Sequence, residues 1–463
     1  MYLQFKSTVT SEKNADGVTI LRTPFSQIDW KENSSILNTC LQDLWLGKEE
    51  DTLAAFALQE GGSNALAELY YYLDKLKKHH LLNFTITSHD LPLFTLNPFP
   101  PFDFETHEIQ DSAVYQLSRF CYARREGSCI VLETPLCSSQ LILQQKESLF
   151  IFHALAQPCS ANTLSADFPQ FSQSTIRQCL QFFLNSKMID AYEGDSSQEE
   201  QNPIFIQWDF HDLLFHSRSR SGRSPSYPKT AFPFRGKIPP TPAIKTSTTS
   251  ERIALFRPDM ETLQKEDPPF SRVLETRTSQ RVHGDEPITI RQLGEFLFRC
   301  ARIKHLKTIE DLDFSARPYP SGGALYELEL YPIIQSCAGI SSSLYHYNAQ
   351  QHELHKISNL NKITDLIVHR ARLSTTTEHP PQILIIIAAR FQRVSWKYPS
   401  GAYALILKNT GVLLQTMYLV ATAMDLAPCA VGTGNADLFA KAIDSNYYEE
   451  TSVGEFILGS KKN

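Results

Sequence analysis

The sequence lacks paired cysteines. Its nine cysteines are scattered from Cys40 to Cys429, and none falls in a CxxC pair. That argues against a clustered zinc site and against the disulfide framework of a small secreted domain, and it leaves reduced, mostly buried thiols. No metal site is expected. The N-terminal MYLQFKSTVTSEKN has no apolar core of signal-peptide length. The longest apolar run, near Ile383 to Ala389, is far short of the ~20 residues of a membrane span. A strong charge of one sign is also missing. A formal net charge of -6 offers no basic field for a nucleic acid. A soluble, cytoplasmic protein with no membrane or nucleic-acid partner is expected.

What is present is ordinary globular composition, 42% hydrophobic and 20% charged over 463 residues. At ~150 residues per domain, that length suggests about three domains. Residues 1–96 read as a first small unit. Ser34 to Leu46 and Ala65 to Leu82 have helical periodicity, Phe84 to Thr87 is β-like, and Leu91 to Phe104 has the prolines of a linker. Residues 97–223 repeat the plan, with strands at Ser128 to Thr134 and Leu141 to Leu143. Helices at Ser148 to Gln157 and Ser172 to Ser186 and a β-like Met188 to Tyr192 complete it. Helix–helix–strand order suggests two winged-helix-like units. Lysines 75, 77 and 78 at a helix C-terminus complement its dipole, so DNA binding is disfavoured. His211 and His216 lie five apart on a helix, on different faces, and read as packing histidines rather than metal ligands. Arg218, Arg220 and Arg223 form a basic run that a solvated segment explains as well as a phosphate or peptide carboxylate does. Residues 224–270 are Pro/Ser-rich, a linker or lid.

Residues 271–463 hold the most pointed stretch, Ala316 to Tyr331, ARPYPSGGALYELELY. Prolines stiffen a loop that ends in Ser321-Gly322-Gly323, and alternation from Ala324 to Tyr331 predicts a strand after it. Backbone N–H groups of such a turn can meet a polar ring edge or a phosphate, although an ordinary tight turn is the plain alternative. Upstream, Ser271 to Arg281 predicts a helix and then a loop whose guanidiniums and hydroxyl suit a phosphate. Ile288 to Ala301 is a Thr289-capped helix, residues 344–354 a hairpin, Gln382 to Ala389 a buried strand and Asn409 to Leu426 a long apolar helix. Adjacent Lys397 and Tyr398 can face one site only if their segment is irregular, as Pro399 and Gly401 suggest.

The PSGGALYELE stretch resembles the PSGGALYPLE motif of the SagB/McbC-type azoline oxidases, a branch of the flavin-dependent nitroreductase superfamily, with Glu327 where that pattern has Pro. Trp208 to Arg223 resembles the WxFHDLLFHxRSRxG signature ahead of that oxidase domain. Arg277, Ser279 and Arg281 match its RRSxR motif, with Thr278 in place of the second Arg. The resemblance implies an α+β, C-terminal nitroreductase-like FMN domain preceded by two winged-helix-like peptide-binding units. It most resembles a stand-alone cyanobactin thiazoline oxidase. It assigns catalysis to Lys397 and Tyr398. To FMN binding it assigns Arg277, Thr278, Ser279, Arg281, Pro320, Ser321, Gly322, Gly323, Gln415, Val431, Gly432 and Lys461. It also implies a homodimer, and oxidation of azolines to azoles in an azoline-containing peptide substrate. With no dinucleotide motif in view, oxygen would reoxidise the flavin. The competing expectations are an NAD(P)H-dependent nitro- or quinone reductase on the same fold and a flavin-free peptide-binding protein with a degenerate oxidase domain.

Overall fold

In a computed structural model, all residues are described except 14, 16–17, 24–25, 31–33, 106, 221–231, 247–248, 399 and 463. Pro399, Arg223 and the start of the expected 224–270 linker therefore lie outside the described residues. The chain forms two compact units, Met1–Pro228 and Lys229–Asn463.

The first unit is organised by a seven-stranded antiparallel sheet in the order Lys48–Glu49, Tyr2–Phe5, Leu82–Ser88, Leu91–Pro98, Ser139–Leu143, Cys129–Glu133, Tyr122–Glu126. Strand Leu91–Pro98 corrects the expected linker at 91–104. Leu93, Phe94 and Leu96 are fully buried, and the prolines sit near the strand's ends, where they cost fewest ladder bonds. That strand pairs with the sequence on both sides, and one hydrophobic core runs from Leu3 to Ile189. The seven-stranded sheet thus joins strands from both of the expected winged-helix-like units, and a separate four-stranded sheet, in the order Cys159–Ser160, Val114–Leu117, Ile189–Glu193, Ser196–Ser197, lies within the second. The second predicted helix is also longer than periodicity suggested. It spans Glu50–Lys78 with a break at Gly62 (φ 66°) and stops short of Leu82, which opens a strand. Ser34 and Ser172 cap their helices, accepting from the N–H groups of Leu37 and Thr175.

The second unit is a seven-stranded antiparallel sheet between two helical layers. Its order is Arg252–Ala254, Glu353–Asn359, Ser343–Asn348, Leu328–Ile334, Ile383–Arg390, Glu450–Ser460, Leu426–Val431. The Ile-rich central strand is buried along its whole length. Ile383, Ile385, Ile387 and Ala389 face helices Ile290–Ala301 and Ala402–Ala423, while Leu384, Ile386 and Ala388 face helices Lys362–Thr375 and Ala436–Ala442. Ala402–Ala423 begins seven residues before the predicted start. Among the described residues it is one helix long and apolar enough, by length and composition, to cross a membrane, and here its Ile406, Leu413, Met417 and Ala421 line the core.

Two further corrections matter for the site. The strand predicted from Ala324 starts at Leu328, because Ala324 and Tyr326 adopt φ of 56° and 48° and cannot join a ladder. Pro428 to Val431 is strand, although the resemblance placed Val431 and Gly432 together at the flavin, and the chain bends only from Gly432. Leu413→Ala should lower the stability of this unit by about 2–5 kcal/mol, read from a denaturant titration, since the side chain is fully buried.

Candidate functional site

The Ser-Gly-Gly turn is held from below by a hydrogen-bonded amide. The Asn409 side chain, two turns into the core face of helix Ala402–Ala423, accepts from Gly322 N–H at 3.0 Å. It donates to Ser321 Oγ at 3.2 Å and to Glu327 Oε1 at 2.8 Å. Ser321 Oγ also accepts from Tyr326 N–H at 3.1 Å and donates to Glu327 Oε2 at 3.3 Å. Glu327 is fully buried. Burial pushes its carboxyl up, against the hydrogen bonds from Asn409 and Ser321. Asn409 was not singled out from sequence, and Glu327 was read only as a departure from the proline pattern. A buried Asn on the core side of an apolar helix was the available signal.

The turn faces the catalytic candidates. A Cβ on Gly323 (φ 68°) would come within 2.7 Å of Tyr398 Oη and 3.0 Å of Lys397 Nζ, and one on Gly322 within 2.5 Å of Leu405. A Cβ at either position would push these side chains aside, and Gly323 needs glycine for its φ as well. Lys397 and Tyr398 share a site because their segment is helical rather than extended. Each N–H donates to Val394 O, at 3.1 and 2.9 Å, continuing the turn of Gln392–Ser395. Lys397 Nζ lies 5.2 Å from the centroid of the Tyr398 ring.

The phosphate candidates gather at the other end of the long helix. Arg277 stacks its guanidinium on the Tyr418 ring, 5.3 Å from its centroid, and Ser279 Oγ meets Tyr418 Oη at 2.9 Å. Ala430 N–H donates to the same hydroxyl at 2.7 Å, which ties the 277–281 loop to the strand carrying Val431. Thr278 and Arg281 are exposed beside them. Tyr418 is the organiser that sequence reading missed, since an aromatic in an apolar helix reads as core. Gln415 is exposed one turn before it, on the same face. Gly432 is exposed, with nothing within 4 Å of a Cβ placed on it, and Val431 is buried. Pro320 is exposed at the turn. Lys461 pairs with Asp425 at 2.8 Å. Asn409 and Tyr418 are separated by about 14 Å of helix, so one chain presents the Gly323 cluster and the Arg277 cluster apart.

Other basic candidates have structural partners. Arg317 is buried and donates to Leu328 O at 3.2 Å. Arg218 meets Tyr122 Oη at 3.1 Å and Glu133 at 3.3 Å. His216 stacks on Trp208, His211 sits 2.8 Å from Asp209, and no group of metal-binding side chains occurs among the described residues. Glu455, the strand partner of Val431, points at Gly434 and is 2% exposed. Burial pushes its carboxyl up to about 8.

Two stretches match known families. Residues 274–459 match the nitroreductase family, and residues 115–225 match the cyanobactin oxidase ThcOx. A protein of Methanocaldococcus jannaschii named as a nitroreductase is 27% identical over 178 residues, 38% of this chain and 81% of that protein. The Escherichia coli microcin synthetase McbBCD complex with truncated pro-MccB17 bound includes a chain 19% identical, with a TM-score of 0.35, over 55% of this chain and 92% of that one. A Desulfovibrio desulfuricans nitroreductase in complex with FMN is 14% identical, with a TM-score of 0.29, over 42% of this chain and 88% of that one.

Because folding of Glu455 favours its protonated form, the stability it contributes is present below the ~4.3 of an unfolded Glu and lost as pH rises through about 8. Glu455→Gln should match wild type in thermal midpoint near pH ~4 and exceed it above pH 8, as scanning calorimetry at both pH values would read.

Proposed function

From a chain that joins a segment matching cyanobactin oxidase ThcOx to a domain matching the nitroreductase family, we propose an FMN-dependent oxidase that converts thiazolines or oxazolines in a ribosomally made peptide to azoles. The observation that carries this reading is the meeting of Gly323, Lys397 Nζ and Tyr398 Oη at one place. A reductase of small nitro compounds needs no proton acceptor of this kind. Azoline oxidation removes a proton from one ring carbon and a hydride from its neighbour. Bound FMN would supply the hydride acceptor. The proton passes to the Lys397–Tyr398 pair, whose Nζ and Oη meet at the Gly323 turn.

The side chains present suit FMN. Arg277 and Arg281 offer guanidinium forks, and Ser279 a hydroxyl, at an exposed loop fit for a phosphate. Gly322 and Gly323 leave the turn bare where a flat ring would approach. The Gly323 and Arg277 clusters lie at opposite ends of the long helix, which supports a homodimer whose two chains complete each site. For the peptide, support comes from the first unit. A cavity of about 770 Å³ there is lined by Phe205 and by Trp208, Leu213 and His216 of the WDFHDLLFH stretch, together with Lys187 and Arg220. A cavity lined by aromatic, aliphatic and charged side chains suits a peptide segment. We place the reaction in the cytoplasm.

Anaerobic mixing of the flavin-loaded protein with a thiazoline-containing peptide tests the proposal. Bleaching near ~450 nm, with two mass units lost per ring, is expected on hydride transfer to the flavin. Bleaching by NADH or NADPH but not by peptide would instead establish the reductase. Arg281→Ala should lose bound flavin, and full retention would remove Arg281 from the phosphate site. Tyr398→Phe should stay yellow and folded while turnover falls by roughly 10²–10⁴-fold; an active variant rejects the phenol as proton acceptor.

A further inference from the structure

The Lys397 ammonium stands among aromatic rings. Its Nζ is 5.4 Å from the centroid of Phe232, 5.6 Å from Phe314 and 5.2 Å from Tyr398. Among the described residues it has no ion-pair partner. A cation within ~6 Å of a ring face is attracted by the ring's quadrupole, and three such faces hold it without neutralising it. A carboxylate would hold it as well but would neutralise it.

Two of these rings come from segments that the motifs do not include. Phe232 begins the described part of the proline-rich stretch, and that part is docked along the site. Phe232 N–H donates to Lys397 O at 3.1 Å, and its ring packs edge-on against Trp396 at 5.7 Å. Arg235 covers Phe232 at 4.5 Å and is itself paired with Glu310 at 2.9 Å. Trp396 Nε1 donates to Ile238 O at 2.7 Å, and Lys245 Nζ to Tyr331 Oη at 2.7 Å. Phe314 lies in the hairpin strand Leu312–Ala316. One buried guanidinium, that of Arg393, ties both segments down through Thr241 O at 2.6 Å and Asp313 O at 2.9 Å. The rings are therefore fixed relative to the helical turn that carries Lys397.

The geometry points to Phe232 and Phe314 as positioning residues that, with the Tyr398 ring, cage the Lys397 ammonium beside the Gly323 turn. This rests on the reading of Lys397 and Tyr398 as the reacting pair. It makes the segment from Phe232 to Lys245 a wall of the active site rather than a spacer.

The test compares Phe314→Leu and Phe232→Leu with Phe314→Tyr and Phe232→Tyr. Each Leu variant should lower kcat about 2- to 30-fold with unchanged peptide KM and flavin content, and the Tyr variants should recover it. In a Lys397→Met background the Leu substitutions should cost nothing further. Equal kcat in the Leu variants and wild type, or equal loss in the Leu and Tyr variants, overturns the cage. A readout independent of turnover uses lysines reductively methylated with a ¹³C label, with the Lys397 resonance assigned through Lys397→Arg. An upfield ring-current shift is expected in wild type, reduced by Phe→Leu and kept by Phe→Tyr. An unshifted wild-type resonance overturns the proposal. If Phe314→Leu fails to fold, Phe232→Leu, outside the sheet, decides. A protein inactive on azoline peptide but with the shifted resonance refutes the functional reading and leaves the cage standing.

Discussion

The irregular half of the site depends on one buried charge. Arg393 is 1% exposed, and its guanidinium donates to the carbonyls of Leu325, Thr241 and Asp313. Those three carbonyls belong to the loop after the Gly-Gly turn, to the proline-rich segment and to the 312–316 strand. Leu325 and Thr241 lie outside any ladder and Asp313 lies in a two-stranded one, and a planar fork with five donors can serve all three at once. Burial pulls the guanidinium down to about 10, with Arg390 and Arg317 adding repulsion, and it remains charged through the neutral range.

Around that tie the second unit divides its labour. The sheet and the helix Ala402–Ala423 form a rigid frame that carries Gln415 and Val431, and most other candidates sit where the frame stops: at the turn before Leu328, past Arg390, in the loop after Thr276 and at the bend after Val431. The same helix serves both clusters, presenting Asn409 toward the Ser-Gly-Gly turn and Tyr418 toward Arg277 and Ser279. Distances within each cluster are therefore set by packing on a common element, the condition that positioned chemistry requires.

Much of this was legible in the sequence. The Ile-rich run announced the central strand, Thr289 announced its helix, and the PSGG and Lys-Tyr motifs turned out to be neighbours in space. What the sequence concealed was long-range partnership. Leu91 to Phe104 reads as linker by its prolines, yet its buried Leu93, Phe94 and Leu96 make a strand that pairs on both sides. For that reason strands of both expected units meet in one seven-stranded sheet, while a separate four-stranded sheet belongs to the second alone. Alternation after Gly323 suggested a strand, but left-handed backbone at Ala324 and Tyr326 delays it, a feature that no periodicity records. Phe232, Phe314, Arg393 and Tyr418 owe their roles to residues far along the chain, and local pattern is silent about them.

The amide of Asn409 has a consequence for how this loop can change. It gives one hydrogen-bond acceptor to Gly322 and shares its donors between Ser321 and the Glu327 carboxylate. A proline at position 327 would withdraw the acceptor that takes the shorter of those donated bonds and leave a buried N–H group unmatched. Positions 327 and 409 are thus chemically coupled across 82 residues of chain. Among related chains they should drift as a pair, with the carboxylate accompanied by an amide and the proline by a side chain that asks nothing of it.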